Sequence, residues 1–246
     1  MVLIVIPARL GSTRLERKML LEETGKYLIQ HTYEAAKRAR CEKRIIVATD
    51  SEEIVRAAER FGAEVMMTSK EHRCGSERVA EVAQRFSEYS HIINLQGDEA
   101  EIESDVIDSV AEELEKEEVA PVVTAAASVI DPVLLSDPAV VKVATDKNGY
   151  ALYFSRSEIP YERNFVEDVQ PFLAHIGIYG YKRDFLLEFV GMERTPLERV
   201  EDLEQLRVLE NGFRIKVVRV LKYHRGIDTM QDYRAFVERY RGETKK

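Results

Sequence analysis

The sequence predicts an α/β fold: a mostly parallel sheet with helices on both faces, plus a small antiparallel insertion. Three observations carry that prediction. Short β-branched runs alternate with amphipathic stretches through the first half of the chain, an order that calls for parallel strands joined by helical crossovers. The residues least suited to a core, Pro7-Ala8-Arg9, Thr49-Asp50 and Gln96-Gly97-Asp98-Glu99, fall at the ends of those runs, where open α/β sheets collect ligands. From about residue 122 the pattern changes to longer extended segments punctuated by turn residues such as Asp146-Lys147-Asn148-Gly149.

Taken in order, residues 3–6, 44–48, 64–67 and 91–95 read as strands, and 28–39, 52–61, 77–86 and 106–116 as the helices between and after them. Residues 122–129, 140–145, 151–155 and 174–181 read as extended segments of an antiparallel insertion or second layer. Thr195-Pro196-Leu197-Glu198 is a helix start, with proline at the first helical position and glutamate placed for a capping box. Leu203, Leu206 and Leu209 continue that helix to Asn211-Gly212. A strand over 214–221 and a helix over 229–240 complete the chain.

With 246 residues and 45% of them apolar, the chain can bury a large core without disulfides or a structural metal. Cys41 and Cys74 stand far apart and outside any zinc-ligand spacing, which points to a reducing, cytoplasmic setting. The apolar opening, Met1 to Pro7, is too short to span a membrane and has no positive leader. A net charge of −8 recruits no nucleic acid, so any anionic ligand must be held by a local cluster of cations.

Such a cluster follows the first strand. Arg9, Arg14, Arg17 and Lys18 surround Gly11-Ser12-Thr13, small residues that let backbone N–H groups approach a polyphosphate. The loop is neither a Walker motif nor a paired-glycine dinucleotide fingerprint, which argues against a dehydrogenase. Ile6-Pro7-Ala8-Arg9, with Ser12, Arg14 and Lys18, resembles the signature I-P-A-R-x-x-S-x-R-x-x-x-K-x-L of sugar-acid cytidylyltransferases. Further blocks, among them Asn94-Leu95-Gln96-Gly97-Asp98-Glu99, Tyr153-Phe154-Ser155-Arg156, His175-Ile176-Gly177-Ile178-Tyr179, Leu203-Glu204-Gln205-Leu206-Arg207 and Gly226-Ile227-Asp228-Thr229, are similar to the 3-deoxy-manno-octulosonate (Kdo) cytidylyltransferases. One departure lies in the loop: Leu15-Glu16-Arg17-Lys18 stands where the family has Leu-Pro-Gly-Lys, so a different backbone path is expected there.

The resemblance implies a Rossmann-like sheet of the nucleotide-diphospho-sugar transferase type. It implies a magnesium-dependent transfer of CMP from CTP to Kdo with release of pyrophosphate, in lipopolysaccharide biosynthesis, by a homodimer. Residues 1–246 are expected to form a single domain, with roughly 122–190 as a sugar-binding and dimerisation subregion. Nucleotidyl transfer needs hard cations on the phosphate oxygens, and magnesium takes only one or two protein carboxylates. Asp98, ending a buried strand, and Asp228, before the last helix, are the candidates. On spacing alone Asp228 reads more readily as a helix cap and Asp98 as a turn brace; the resemblance implies that both bind the metal.

Arg9 and Lys18 are expected to grip the triphosphate. The resemblance places Pro7, Ala8, Arg14, Thr49, Ser76, Arg78 and Gln96 in the nucleotide site, and Arg156, His175, Tyr179, Glu204, Gln205 and again Gln96 around the sugar. Arg156 is the expected partner of the sugar carboxylate. A CMP-sialate synthetase, a nucleotidyltransferase using UTP or a sugar phosphate, and a nucleotide-binding protein without turnover remain as rivals.

Overall fold

The structure, a computed structural model, describes residues 1–11, 15–164, 166–167 and 169–243. The elements begin β1 (Val2–Ala8), a 3-10 turn (Lys18–Leu20), α1 (Leu28–Arg38), β2 (Lys43–Thr49), α2 (Glu52–Arg60), β3 (Glu64–Met67), α3 (Gly75–Arg85), β4 (His91–Leu95) and α4 (Ser104–Lys116). They continue β5 (Val122–Ser128), α5 (Pro132–Ser136), β6 (Lys142–Thr145), β7 (Ala151–Ser155), β8 (Leu173–Lys182), α6 (Arg183–Phe189), α7 (Pro196–Glu201), α8 (Gln205–Glu210), β9 (Ile215–Val220) and α9 (Met230–Glu243).

β1 is buried along its whole length, as a strand covered on both faces must be. Its side chains divide the core. Val2, Ile4 and Ile6 pack with residues of α1, α2 and α4, whereas Leu3 and Val5 pack with residues of α3, α6 and α8. Among the described residues the strands form one sheet in the order β3-β2-β1-β4-β8-β5-β9, with β6 and β7 beside β8. β3, β2, β1 and β4 are parallel, and their carboxyl ends bring Ala8 level with Thr49.

Of the two expectations for the second half, an antiparallel insertion or a second layer, the structure shows no second layer of strands among the described residues. β8 enters the main sheet antiparallel between β4 and β5, and β9 then pairs parallel with β5. β5 is buried from Val122 to Ala127, the pattern of a central strand, and such a pattern carries no mark of its partner. The hairpin of β6 and β7 is what remains of the antiparallel insertion.

The predicted helix over 195–211 is two helices. Thr195 and Glu198 form the expected capping box on α7, but Asp202 adopts a left-handed φ of 52° and ends the helix. The reason lies across the break. Glu198 accepts from Arg207 Nε and Nη2, both at 2.9 Å, and both residues are buried. Residues nine apart on one continuous helix would stand about 13.5 Å apart along its axis, too far to pair.

α9 is capped by Thr229 and Asp232. The Asp232 carboxylate accepts from the Thr229 N–H at 2.9 Å, and the Thr229 hydroxyl accepts from the Asp232 N–H at 3.1 Å. Tyr233, Phe236 and Val237 of this helix pack on Leu15 and Leu28. No helix among the described residues is long and apolar enough to cross a membrane.

His31, on α1, is buried edge-on against Phe236 and Tyr240. Burial, helped by the charge of Lys26, pushes its pKa down to about 4. The folded value lies below the unfolded one, so stability present above pH 6.5 is lost as pH falls toward 4, by up to about 3 kcal/mol. Urea unfolding at pH 7 and pH 4.5 should therefore show a shallower acid loss in His31→Gln than in the wild type. An unchanged slope would remove His31 from the account.

Candidate active site

Asp98 and Asp228 are 130 residues apart in sequence and meet at one ammonium group. Lys18, buried in the 3-10 turn, donates to Asp98 Oδ2 at 2.5 Å and to Asp228 Oδ1 at 3.1 Å. Burial alone would lower the lysine pKa, but Asp98, then Asp228, outweighs it and holds the value above the usual one. The turn reaches this point because Arg17, just before Lys18, sits in the left-handed region at φ 53°. That is the conformation a glycine adopts without strain and a non-glycine residue adopts at a cost, so Arg17 holds a position where the family's glycine would be at ease.

Backbone contacts hold the two carboxylates together. Ile227 N–H donates to the Asp98 carbonyl at 3.1 Å, tying the loop before α9 to the turn after β4. That turn is tied in its turn to β8: Gln96 N–H donates to the Gly177 carbonyl at 3.3 Å, and Gly177 N–H donates to Glu99 Oε1 at 3.1 Å. Burial, followed by the charge of Asp98, pushes the Glu99 carboxyl up to about 8.

A cavity of about 540 Å³ opens on one side of the aspartates, lined by Pro7, Ala8, Arg9, Lys18, residues 72–75, Glu77, Arg78, residues 96–98, Glu198, Asp202, Glu204 and Arg207. A smaller one of about 200 Å³ shares Asp98 and Asp228 with it and adds Glu99, His175, Gly177, Tyr223 and Arg225. A groove of about 1030 Å³ runs along α1, α4 and α9, and several of its charged groups pair with one another, as Lys26 does with Glu34 at 2.6 Å. Among the described residues none of the sequence-predicted site residues lines it, so size does not mark the chemistry here.

A polar chain crosses the floor of the sheet into the larger cavity. Gln96 donates to Asn94 at 3.1 Å, Asn94 donates to the Ser76 hydroxyl at 3.4 Å, and Ser76 donates to Glu204. Its members come from β4, α3 and the break before α8, so the orientation of Glu204 depends on all three. Arg78 faces the same cavity with its donors engaged by Asp50 at 2.7 Å, by Thr68 and by the Ser69 carbonyl. Cys74, also in the wall, has a thiol pushed up to about 12 by burial and by Glu204, which makes it a poor nucleophile.

Other predicted residues lie elsewhere. Thr49 is buried at the end of β2, and its hydroxyl accepts from the Ser51 N–H at 3.2 Å. Arg156 lines neither cavity: its guanidinium donates to the carbonyls of Glu201, Pro138 and Asp202 at 2.7, 3.0 and 3.3 Å, strapping β7 to the α7–α8 break. Tyr179 stacks on Tyr181 and lies tilted against His175, and burial raises its pKa well above the usual range. Gln205 is buried at the start of α8 and lines neither cavity. Arg14 lies outside the described residues.

His175 does line the smaller cavity, and its tautomer follows from its neighbour. The Thr124 hydroxyl spends its one proton on the Ile178 carbonyl at 2.6 Å, so it accepts from His175 Nε2 at 2.9 Å. Burial pushes this imidazole down to about 3, and it is neutral at physiological pH. Arg73, Arg194 and Arg225 line the two cavities without having stood out in the sequence, because nothing in their local pattern separates them from surface arginines.

The donor set suits a hard cation. Two carboxylates already share one positive group, the Lys18 ammonium, and magnesium asks for one or two protein carboxylates with the remaining positions left to water and phosphate. Among the described residues no group of three or more His, Cys, Asp or Glu is arranged around a common metal position.

A family model described as cytidylyltransferase matches residues 3–217. A 3-deoxy-manno-octulosonate cytidylyltransferase of Fusobacterium nucleatum is 45% identical over 93% of this chain and 92% of its own. One from Chlorobium phaeobacteroides is 47% identical over 94% and 93%. A solved CMP:2-keto-3-deoxy-manno-octonic acid synthetase complexed with CTP superposes with a TM-score of 0.91 at 36% identity, covering 98% of this chain and 99% of that one. A nucleotidyl transferase from Methanothermobacter, at 15% identity and a TM-score of 0.66 over 99% of both chains, shares the fold alone.

Proposed function

The chain belongs to the cytidylyltransferase family, and from that premise we propose that it transfers CMP from CTP to 3-deoxy-manno-octulosonate, forming CMP-Kdo and pyrophosphate. The observation that carries the reading is the convergence of Asp98, Asp228 and Lys18 at the boundary of two cavities, on the side of the sheet where the parallel strands end. A nucleotide and a second substrate can approach that boundary from either side. The rest of the chemistry is an in-line displacement: the anomeric oxygen of the sugar bonds to the α-phosphorus, the bond to pyrophosphate breaks with its electron pair kept on the pyrophosphate oxygen, and the hydroxyl proton passes to solvent water.

In this reading Arg9 and Lys18 hold the triphosphate, and no side chain forms a covalent intermediate. Positioning and charge do the work. The Gln96–Asn94–Ser76–Glu204 chain orients the sugar hydroxyls from the larger cavity, and the neutral His175, whose one N–H is engaged by Thr124, offers Nδ1 as an acceptor from the smaller one. Asp98 and Asp228 would hold Mg2+, which when bound neutralises charge on the phosphate oxygens.

The free thiols Cys41 and Cys74 suit a reducing cytoplasm. Ile130, Val133, Leu152 and Tyr161 are exposed on the segment between β5 and β8, which suits pairing of two copies in a homodimer.

Pyrophosphate release is the test. With Mg2+ and a panel of 2-keto sugar acids, release is expected with CTP and Kdo and to be far weaker with UTP or with sialate. Preference for sialate or for UTP would replace the proposed substrate pair, and absence of release with every acceptor would remove the enzyme reading.

A further inference from the structure

The carboxyl of Glu99 occupies a place that none of the roles above requires. It is buried where three segments meet: the turn after β4 that carries Asp98, the start of β8, and the loop before α9 that carries Asp228. Oε1 accepts from Gly177 N–H at 3.1 Å, while Oε2 is buried with no hydrogen-bond partner. An unpaired buried oxygen costs about 1–3 kcal/mol, so this arrangement is not one that stability alone would favour.

The space around the group is shaped by two glycines. A Cβ on Gly177 would stand 2.5 Å from Glu99 Oε1, closer than carbon and oxygen can approach, and one on Gly226 would stand 3.2 Å away. Neither glycine has a positive φ, so close approach and not backbone conformation is what excludes a side chain there. Gly226 is two residues from Asp228, and Glu99 is next to Asp98. The carboxyl is thus wedged between the backbones that fix both aspartates.

We propose that Glu99 is a positioning residue: seated in the notch between Gly177 and Gly226, it sets the separation at which Asp98 and Asp228 reach a single cation. The proposal rests on the reading that those two aspartates hold a divalent ion. Glu99 touches neither substrate nor metal in this role. It acts through the peptide segments on which the ligating carboxylates are mounted, as outer-shell groups do in other metal sites.

Mn2+ titration of the full chain without nucleotide, followed by the electron paramagnetic resonance of free Mn2+, tests the role apart from turnover. Glu99→Gln keeps the acceptor for Gly177 and should bind Mn2+ within about threefold of wild type, whereas Glu99→Ala should lose about tenfold or more. Gly226→Ala should weaken Mn2+ binding in the wild-type background and have no further effect in Glu99→Ala, where no carboxyl is left for its methyl to meet. Leu114→Ala, a core substitution on α4, serves as the control for general destabilisation and should bind Mn2+ as wild type does. Wild-type Mn2+ affinity in Glu99→Ala, a loss matched by Leu114→Ala, or an equal effect of Gly226→Ala in both backgrounds would overturn the role of Glu99 alone. Full Mn2+ binding by Asp98→Asn would instead overturn the metal reading, and the role of Glu99 with it.

Discussion

Asp98→Asn is expected to lower turnover about a thousandfold, equivalent to roughly 4 kcal/mol in the barrier. The substitution keeps the shape of the side chain and removes its charge, so what is lost is the electrostatic part. Lys18 retains Asp228 as a partner at 3.1 Å, which should leave the turn after β1 in place. The loss should therefore appear in kcat and in the Mg2+ dependence more than in the amount of folded protein. Steady-state kinetics over a Mg2+ series decides the matter: near-normal turnover at limiting Mg2+ would show that Asp98 does not carry the metal.

The second large effect is structural. Glu198→Ala should destabilise the fold by about 3–5 kcal/mol, because it leaves Arg207 buried without its bidentate partner. For a chain of this size that corresponds to a fall in Tm of roughly 10 °C. Arg207 also donates to the carbonyls of Phe189 and Met192 at 3.3 and 3.2 Å and stacks on the Phe189 ring, contacts that hold its guanidinium in a buried position. By contrast, the exposed pair Arg44–Glu64 should be worth less than about 1 kcal/mol when broken. Thermal unfolding of the two variants side by side gives the comparison, and a Glu198→Ala shift no larger than that of Glu64→Ala would contradict the account. Because the Glu198–Arg207 pair joins α7 to α8, Glu198→Ala should also raise the KM for the sugar, whose candidate contact Glu204 lies in the break between them.

The candidate site was legible where chemistry and backbone share one short segment. Gln96-Gly97-Asp98-Glu99 at the end of an apolar run announces a turn at a strand's carboxyl end, and Asp98 is found there. Lys18 could be singled out from the cationic loop, although its distance to two aspartates could not. Arg156 shows the opposite case: an arginine after a strand reads as an anion partner, yet its donors go to three backbone carbonyls. Which acceptors surround a guanidinium depends on segments 18 to 46 residues away, and no local pattern encodes them. Glu99 was visible inside its block but unremarkable until Gly177 and Gly226 closed around it.

By itself the sequence determined the order of strands and helices in the first half, the capping box at Thr195, and the side of the sheet on which polar residues would gather. Those features follow from periodicity, turn chemistry and capping, which act over a few residues. Only the tertiary structure decided that β8 lies between β4 and β5, that the helix after Thr195 breaks at Asp202, and that Asp98, Asp228 and Lys18 share one point. Each of these is settled by contacts between segments distant in the chain, where burial and charge pairing outweigh local preference.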